Sequence, residues 1–147
     1  MKNELKPQAV AVIVGSSDAP DLSGCAEFYQ CAAGVLLSVQ VSGLPQQNSS
    51  GFFAMHIHEG ESCSGAGFPR TGGHYNIVET LHPLHAGDLP PLLSCHGGAW
   101  LTVLSDRFCV DEVIGRTLVI HSSEDDFHTQ PSGNVGVKIG CGEIKST

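Results

Sequence analysis

The chain has 147 residues, a formal charge of −8, 41% hydrophobic residues and 15% charged ones. That suffices for a single domain, 1–147, with a proper core, and it is too apolar for a disordered segment. The acidic balance speaks against a nucleic-acid partner, which needs clustered Lys and Arg. No apolar stretch approaches the ~18 residues of a membrane-spanning helix, so no membrane partner is expected. An anionic substrate would need positive charge placed at its own site.

The first ten residues, MKNELKPQAV, lack the apolar centre of a signal peptide. Taken as a native start, they point to the cytoplasm. Six cysteines pull toward an oxidising compartment, periplasmic or secreted with a leader removed. In chain order, AVAVIVG (9–15) is an apolar run of strand length. CAEFYQ (25–30) reads as the hairpin partner of VLLSVQVSGLP (35–45), whose clean alternation marks a half-buried strand. FFAMHIH (52–58) follows, with Phe53, Met55 and Ile57 on one face and Ala54, His56 and His58 on the other. Those two imidazoles lie about 7 Å apart, close enough to share an ion.

A region rich in Gly, Pro, His and Ser then runs over 59–91, and a structureless loop of that length is commonly functional. AWLTVLS (99–105) and RTLVIH (116–121) are further strands, with a short helical turn possible at VDEVIGR (110–116). A second polar loop, 122–134, leads into VGVKIGCGEI (135–144). Seven or eight short strands, 18 glycines and 8 prolines with no helical period define an all-β class, a closed or sandwiched antiparallel architecture.

Of eight histidines, six fall under one explanation. His56 and His58 share a strand face, and His121 ends another strand. His74, His82, His85 and Asp88 crowd the long loop, and His82-x-x-His85-x-x-Asp88 lets a tight loop wrap an ion. Imidazole and carboxylate clusters of this kind hold zinc or copper. His96 and His128 are left over and read as exposed.

The ordered motifs MHIHEG, GGHYN, HAGDLP, IGRTLVIHSSEDD and CGEI resemble the copper–zinc superoxide dismutase family, over 22–145. AGDLPPL and the residues between Cys63 and His74 look like its bacterial branch. The resemblance implies an eight-stranded antiparallel Greek-key β-barrel or sandwich whose two long loops cover a copper ion and a zinc ion. It makes His56, His58, His74 and His121 copper ligands, with His74 bridging to a zinc held also by His82, His85 and Asp88. Asp125 matches the outer carboxylate that links a copper-ligand histidine to a zinc-ligand histidine, and such a partner fixes a ligand's tautomer. Cys63 and Cys141 match the family's disulfide. The remaining thiols, Cys25, Cys31, Cys95 and Cys109, read as free and buried, with a Cys25–Cys31 bridge left open.

The implied activity is conversion of superoxide to dioxygen and hydrogen peroxide through a Cu(II)/Cu(I) couple, with His74 parting from copper and carrying a proton. Lys138 stands where the family places an arginine that guides the anion. Lysine keeps the charge but not the two-pronged geometry, so a reduced rate is expected. A copper or zinc store or carrier that kept the ligands without turnover is the main alternative. A cupin-like oxygenase also uses His-x-His on a strand, but it leaves the other ligands unexplained. A homodimer is one assembly open to the chain, although no interface patch is legible in the sequence.

Overall fold

The computed structural model describes residues 5–46 and 48–147. Its elements are β1 (Ala9–Gly15), β2 (Ser23–Cys31), β3 (Gly34–Ser42), β4 (Phe52–Phe53), β5 (Met55–His58), β6 (Leu92–Leu93), β7 (Ala99–Ser105), α1 (Val110–Val113), β8 (Thr117–His121) and β9 (Lys138–Ser146). Seven strands form one antiparallel sheet in the order β5-β8-β9-β1-β2-β3-β7, curled as a half-barrel, and β4 pairs with β6 beside it.

Alternation builds the core. Ala9, Ala11 and Ile13 of β1 are buried, whereas Val12 is 68% exposed. The unbroken apolar run is thus a half-buried strand, and its outer valines face water. Inward residues of β2 and β3 (Ala26, Phe28, Val35, Leu37, Val39) pack with Leu118 and Ile120 of β8. The expected strand 52–58 is interrupted at Ala54. Its N–H donates to Ser123 O at 2.9 Å, and its carbonyl accepts from His121 N at 2.9 Å. Ala54 thus ties this strand to the end of β8, and two strand pieces result where one was expected.

Two register features carry the site. The first concerns β8 and β9, where Ile120 opposes Gly140 but His121 opposes Lys138, an irregularity of one residue. Ile139 is the residue left over. It turns into the core at 1% exposure, and Lys138 comes to stand opposite His121 on the outer face. Strict alternation would have sent the lysine inward with Gly140. The second concerns the free edge of β5, which the 59–91 segment covers. Ile57 N–H donates to Gly87 O at 2.8 Å, Tyr75 N–H to Ile57 O at 2.8 Å, and Gly87 N–H to Tyr75 O at 2.8 Å. A Cβ on Gly87 would collide with Ile57 O, so this close approach requires glycine.

Candidate metal centre

His56 and His58 project from β5 on the face away from Met55 and Ile57, as alternation predicts. Their cross-strand partners on β8 are Val119 and Thr117, with His121 two residues past Val119 on the same face. The strand face therefore gathers three imidazoles on the outer wall of the sheet. The 59–91 loop adds His74 opposite His58 and Asp88 opposite His56 through isolated bridges. His56, His58 and His121 are buried, and His74 and Asp88 are half-buried.

The nitrogens converge. His56 Nδ1 lies 3.1 Å from His121 Nε2, and His58 Nε2 lies 3.3 Å from it. Two nitrogens bound to one ion at ~2.0 Å in a tetrahedral arrangement stand about 3.3 Å apart. On the other side of His74, its Nδ1 is 2.7 Å from Asp88 Oδ1 and 3.3 Å from His85 Nδ1. His82 Nδ1 lies 3.1 Å from Asp88 Oδ2, and His85 Nδ1 lies 3.3 Å from it. Two donor groups result, His56, His58, His74 and His121 in one, and His74, His82 and Asp88 with His56 nearby in the other. His85 belongs with the second by its distances. His56 belongs with the first, because its Nε2 is committed to Asp125 Oδ2 at 2.8 Å.

The tautomers follow from the outer contacts. Asp125 accepts from His56 Nε2–H and, through its other oxygen, from His82 Nε2–H at 2.8 Å. Both Nδ1 atoms are then bare and turned to the two groups. His58 Nδ1–H donates to Gly72 O at 2.8 Å, which leaves Nε2 bare. Buried His74 Nε2, His82 Nδ1 and His121 Nδ1 have no hydrogen-bond partner. Orphaned nitrogens are costly in a protein interior, and for His74 and His82 a cation held by the two donor groups removes that cost. The donor set, nitrogen-rich on one side and nitrogen with carboxylate on the other, suits copper and zinc.

Burial keeps the imidazoles of His56, His58 and His121 neutral. Desolvation lowers the pKa of His56 and His121, and of His58 to about 3. Burial alone would raise Asp88 and Asp125. Hydrogen bonds from His74 to the first, and from His56 and His82 to the second, outweigh it and hold both carboxyls below their usual range. Those three imidazoles and both carboxylates are thus already in the protonation state that metal binding requires.

A cavity of about 450 Å³ opens beside this centre, lined among others by His58, His74, His121, Val135 and Lys138. Lys138 is half-buried there, and desolvation lowers its pKa. Cys63 and Cys141 are joined, with Cα atoms 5.8 Å apart, and pack with Phe68 and Val119. The open Cys25–Cys31 bridge is overturned, since both thiols are free on β2, about 20 Å apart along the strand. The four free cysteines are half-buried or exposed rather than buried. His96 and His128 are exposed, as expected.

Three residues the sequence gave no reason to single out hold the loops. Arg107 donates to Pro83 O at 2.8 Å and His85 O at 3.2 Å, bracketing the loop that carries His82 and His85. Gln130 pairs with the His82 backbone in both directions, at 2.9 and 2.7 Å. Thr71 meets Lys138. Each acts at backbone or through a neighbour, so no spacing signal announces it.

The family model for copper/zinc superoxide dismutase matches residues 22–144, and the chain belongs to that family. It is 32% identical over 140 residues to the Cu-Zn superoxide dismutase 2 of Aquifex aeolicus (strain VF5), covering 85% of this chain and 80% of that one. It is 34% identical over 143 residues to the Cu-Zn superoxide dismutase of Actinobacillus pleuropneumoniae, covering 83% and 72%. The fold is similar to that of a SOD-like protein from Bacillus subtilis, with a TM-score of 0.78, 24% identity and coverage of 91% and 96%.

Proposed function

We propose that the 147 residues act as one domain that converts superoxide to dioxygen and hydrogen peroxide. His56, His58, His74 and His121 would hold copper, and His74, His82, His85 and Asp88 would hold zinc. The observation that carries this reading is His74, whose Nδ1 sits in one donor group while its orphaned Nε2 serves the other. When bound, the copper supplies the one-electron couple, and the zinc holds the shared imidazole in place.

The chain's own residues do the remaining work. Lys138, at the cavity mouth, draws and docks the anion, locally reversing the field of a chain with charge −8. His74 Nε2 takes up and delivers a proton where the cavity meets the centre. Asp125 holds His56 and His82 in the tautomers the metals need. The disulfide and Arg107 keep the 59–91 loop seated.

Metal analysis paired with a superoxide-decay assay tests the reading. About one copper and one zinc per chain with accelerated decay is expected. Both metals without accelerated decay would mean a store or carrier. His121→Ala should abolish turnover and retain zinc, and surviving turnover would remove His121 from the copper set. We also propose a homodimer that pairs through the outer face of β7, and what supports this surface is the exposure there of Trp100 (74%) and Leu104 (53%). Light scattering on Trp100→Glu checks that pairing, which should be lost.

A further inference from the structure

We propose that Thr71 is a positioning residue that aims the anion-docking lysine and sets it in fixed relation to a metal-facing histidine. The inference rests on the reading of Lys138 given above. Lysine is a flexible point charge on a four-carbon stem, and the sequence reading expects a docking group without orientation. The contacts show otherwise. Lys138 Nζ donates to Thr71 Oγ1 at 2.7 Å and to Gly72 O at 3.3 Å. An ammonium has three N–H bonds. Two are committed, and one is left for the cavity that Lys138 lines with His58, His74 and His121.

Thr71 is suited to this task in three ways. It is fully buried at 0% exposure, so water does not compete for its oxygen. Its single hydroxyl proton is donated to Phe68 O at 3.0 Å, so toward Lys138 it presents a lone pair. It closes the short 3-10 turn Pro69–Thr71, and the preceding Phe68 packs on Val119 and the Cys63–Cys141 disulfide. The acceptor is therefore anchored to the sheet rather than carried on a free loop.

The next residue completes the device. Gly72 O accepts from His58 Nδ1–H at 2.8 Å as well as from Lys138 Nζ. One carbonyl thus orients an imidazole of the copper group and the docking ammonium together. The neutrality of the hydroxyl matters too. No carboxylate lines the cavity among the described residues, so the lysine is held without a counter-ion and its charge stays available to the anion. An ion pair would fix it equally well but cancel the field that draws the substrate.

The experiment compares Thr71→Val, which keeps the branched shape and removes the hydroxyl, with Thr71→Ser, which keeps the hydroxyl. The first readout is acetic anhydride labelling of Lys138 by peptide mapping, relative to exposed Lys145 in the same sample. The second is kcat/KM for superoxide on copper- and zinc-loaded protein, with melting temperature and metal content as controls. Thr71→Val should raise relative Lys138 labelling severalfold and lower kcat/KM about tenfold, the scale of one hydrogen bond to a charged group. Thr71→Ser should restore both. A merely structural role would lower the melting temperature and leave the Lys138-to-Lys145 labelling ratio unchanged, and that outcome overturns the inference. So does raised labelling with unchanged kcat/KM. Failure of the underlying reading shows separately, as a wild-type protein that holds both metals and does not turn over.

Discussion

Asp125 decides two tautomers with one carboxylate, and its own position depends on a glycine. A Cβ on Gly133 would strike Asp125 Oδ1 and His82 Nε2, and its φ of +87° disfavours any side chain. Gly133→Ala should therefore push the carboxylate off both imidazoles and press on the His82 ring, with every proposed ligand still in the sequence. Loss of such an outer partner typically costs 10-fold or more in metal affinity, at the low end of about 10–100-fold. Zinc retention against a chelator checks this, and unchanged retention would show that Asp125 is dispensable. A second expectation concerns acid. Desolvation lowers the pKa of His56, His58 and His121 in the folded chain, His58 to about 3, whereas an unfolded histidine titrates near ~6.5. Protons thus favour the unfolded chain. The histidine contribution is whole above about pH 6.5 and drains as pH falls from there toward 3, at up to about 1.4 kcal/mol per pH unit per histidine. Asp88 and Asp125, held low by hydrogen bonds from histidines that outweigh desolvation, add their loss below the usual carboxylate range. Urea midpoints of the metal-free protein should fall between about pH 7.5 and pH 5, and equal midpoints would contradict the burial argument. The histidines that cluster were legible in the sequence because metal chemistry restricts residue type and spacing together. Thr71, Arg107 and Gln130 were not, because a hydroxyl, guanidinium or amide that grips backbone leaves no such pattern.

At the scale of elements, the strands were readable where one face is wet and one dry. β1 and β7 occupy the predicted residues, and β2 and β3 form the predicted hairpin, Cys31 opposing Gly34 at the turn. Strand 52–58 was not predicted to break, because the break lies in the contacts of Ala54 with β8 and the loop after it, which are remote in sequence. The β6 segment was absorbed into the end of the long loop, since two residues carry no period. That loop is stitched along β5 and closed by a disulfide spanning 78 residues. In the chain-entropy model such a link is worth about 4 kcal/mol. Cys63→Ser should lower stability by that order, seen as a shifted denaturant midpoint, and should loosen the turn that presents Thr71 and Gly72. Labelling of Lys138 in the same variant would then rise as well. A midpoint unchanged by the substitution would mean that the Tyr75, Gly87 and Ile57 hydrogen bonds seat the loop unaided.

For the molecule as a whole, the balance of charge sets how substrate arrives. A net −8 repels superoxide at long range, while in the proposed function Lys138 attracts it near the cavity it lines. Salt screens both, so the two effects separate in a variant. Lys138→Gln should lower kcat/KM, and its rate should rise with ionic strength more than that of the parent, because only the repulsion remains to be screened. Identical salt profiles would mean that Lys138 lies off the path of the anion. The irregularity between β8 and β9 has a consequence for how this strand can change. Upstream of Ile139 and downstream of Gly140, β9 is written in two different frames, and the one-residue phase change between them decides which letters face the metals. Substitutions at either side edit a word. Adding a single residue in the intervening stretch shifts the frame, and an ammonium would be sent toward the core while an isoleucine took its place at the mouth. The site should therefore tolerate many changes of residue here and few insertions.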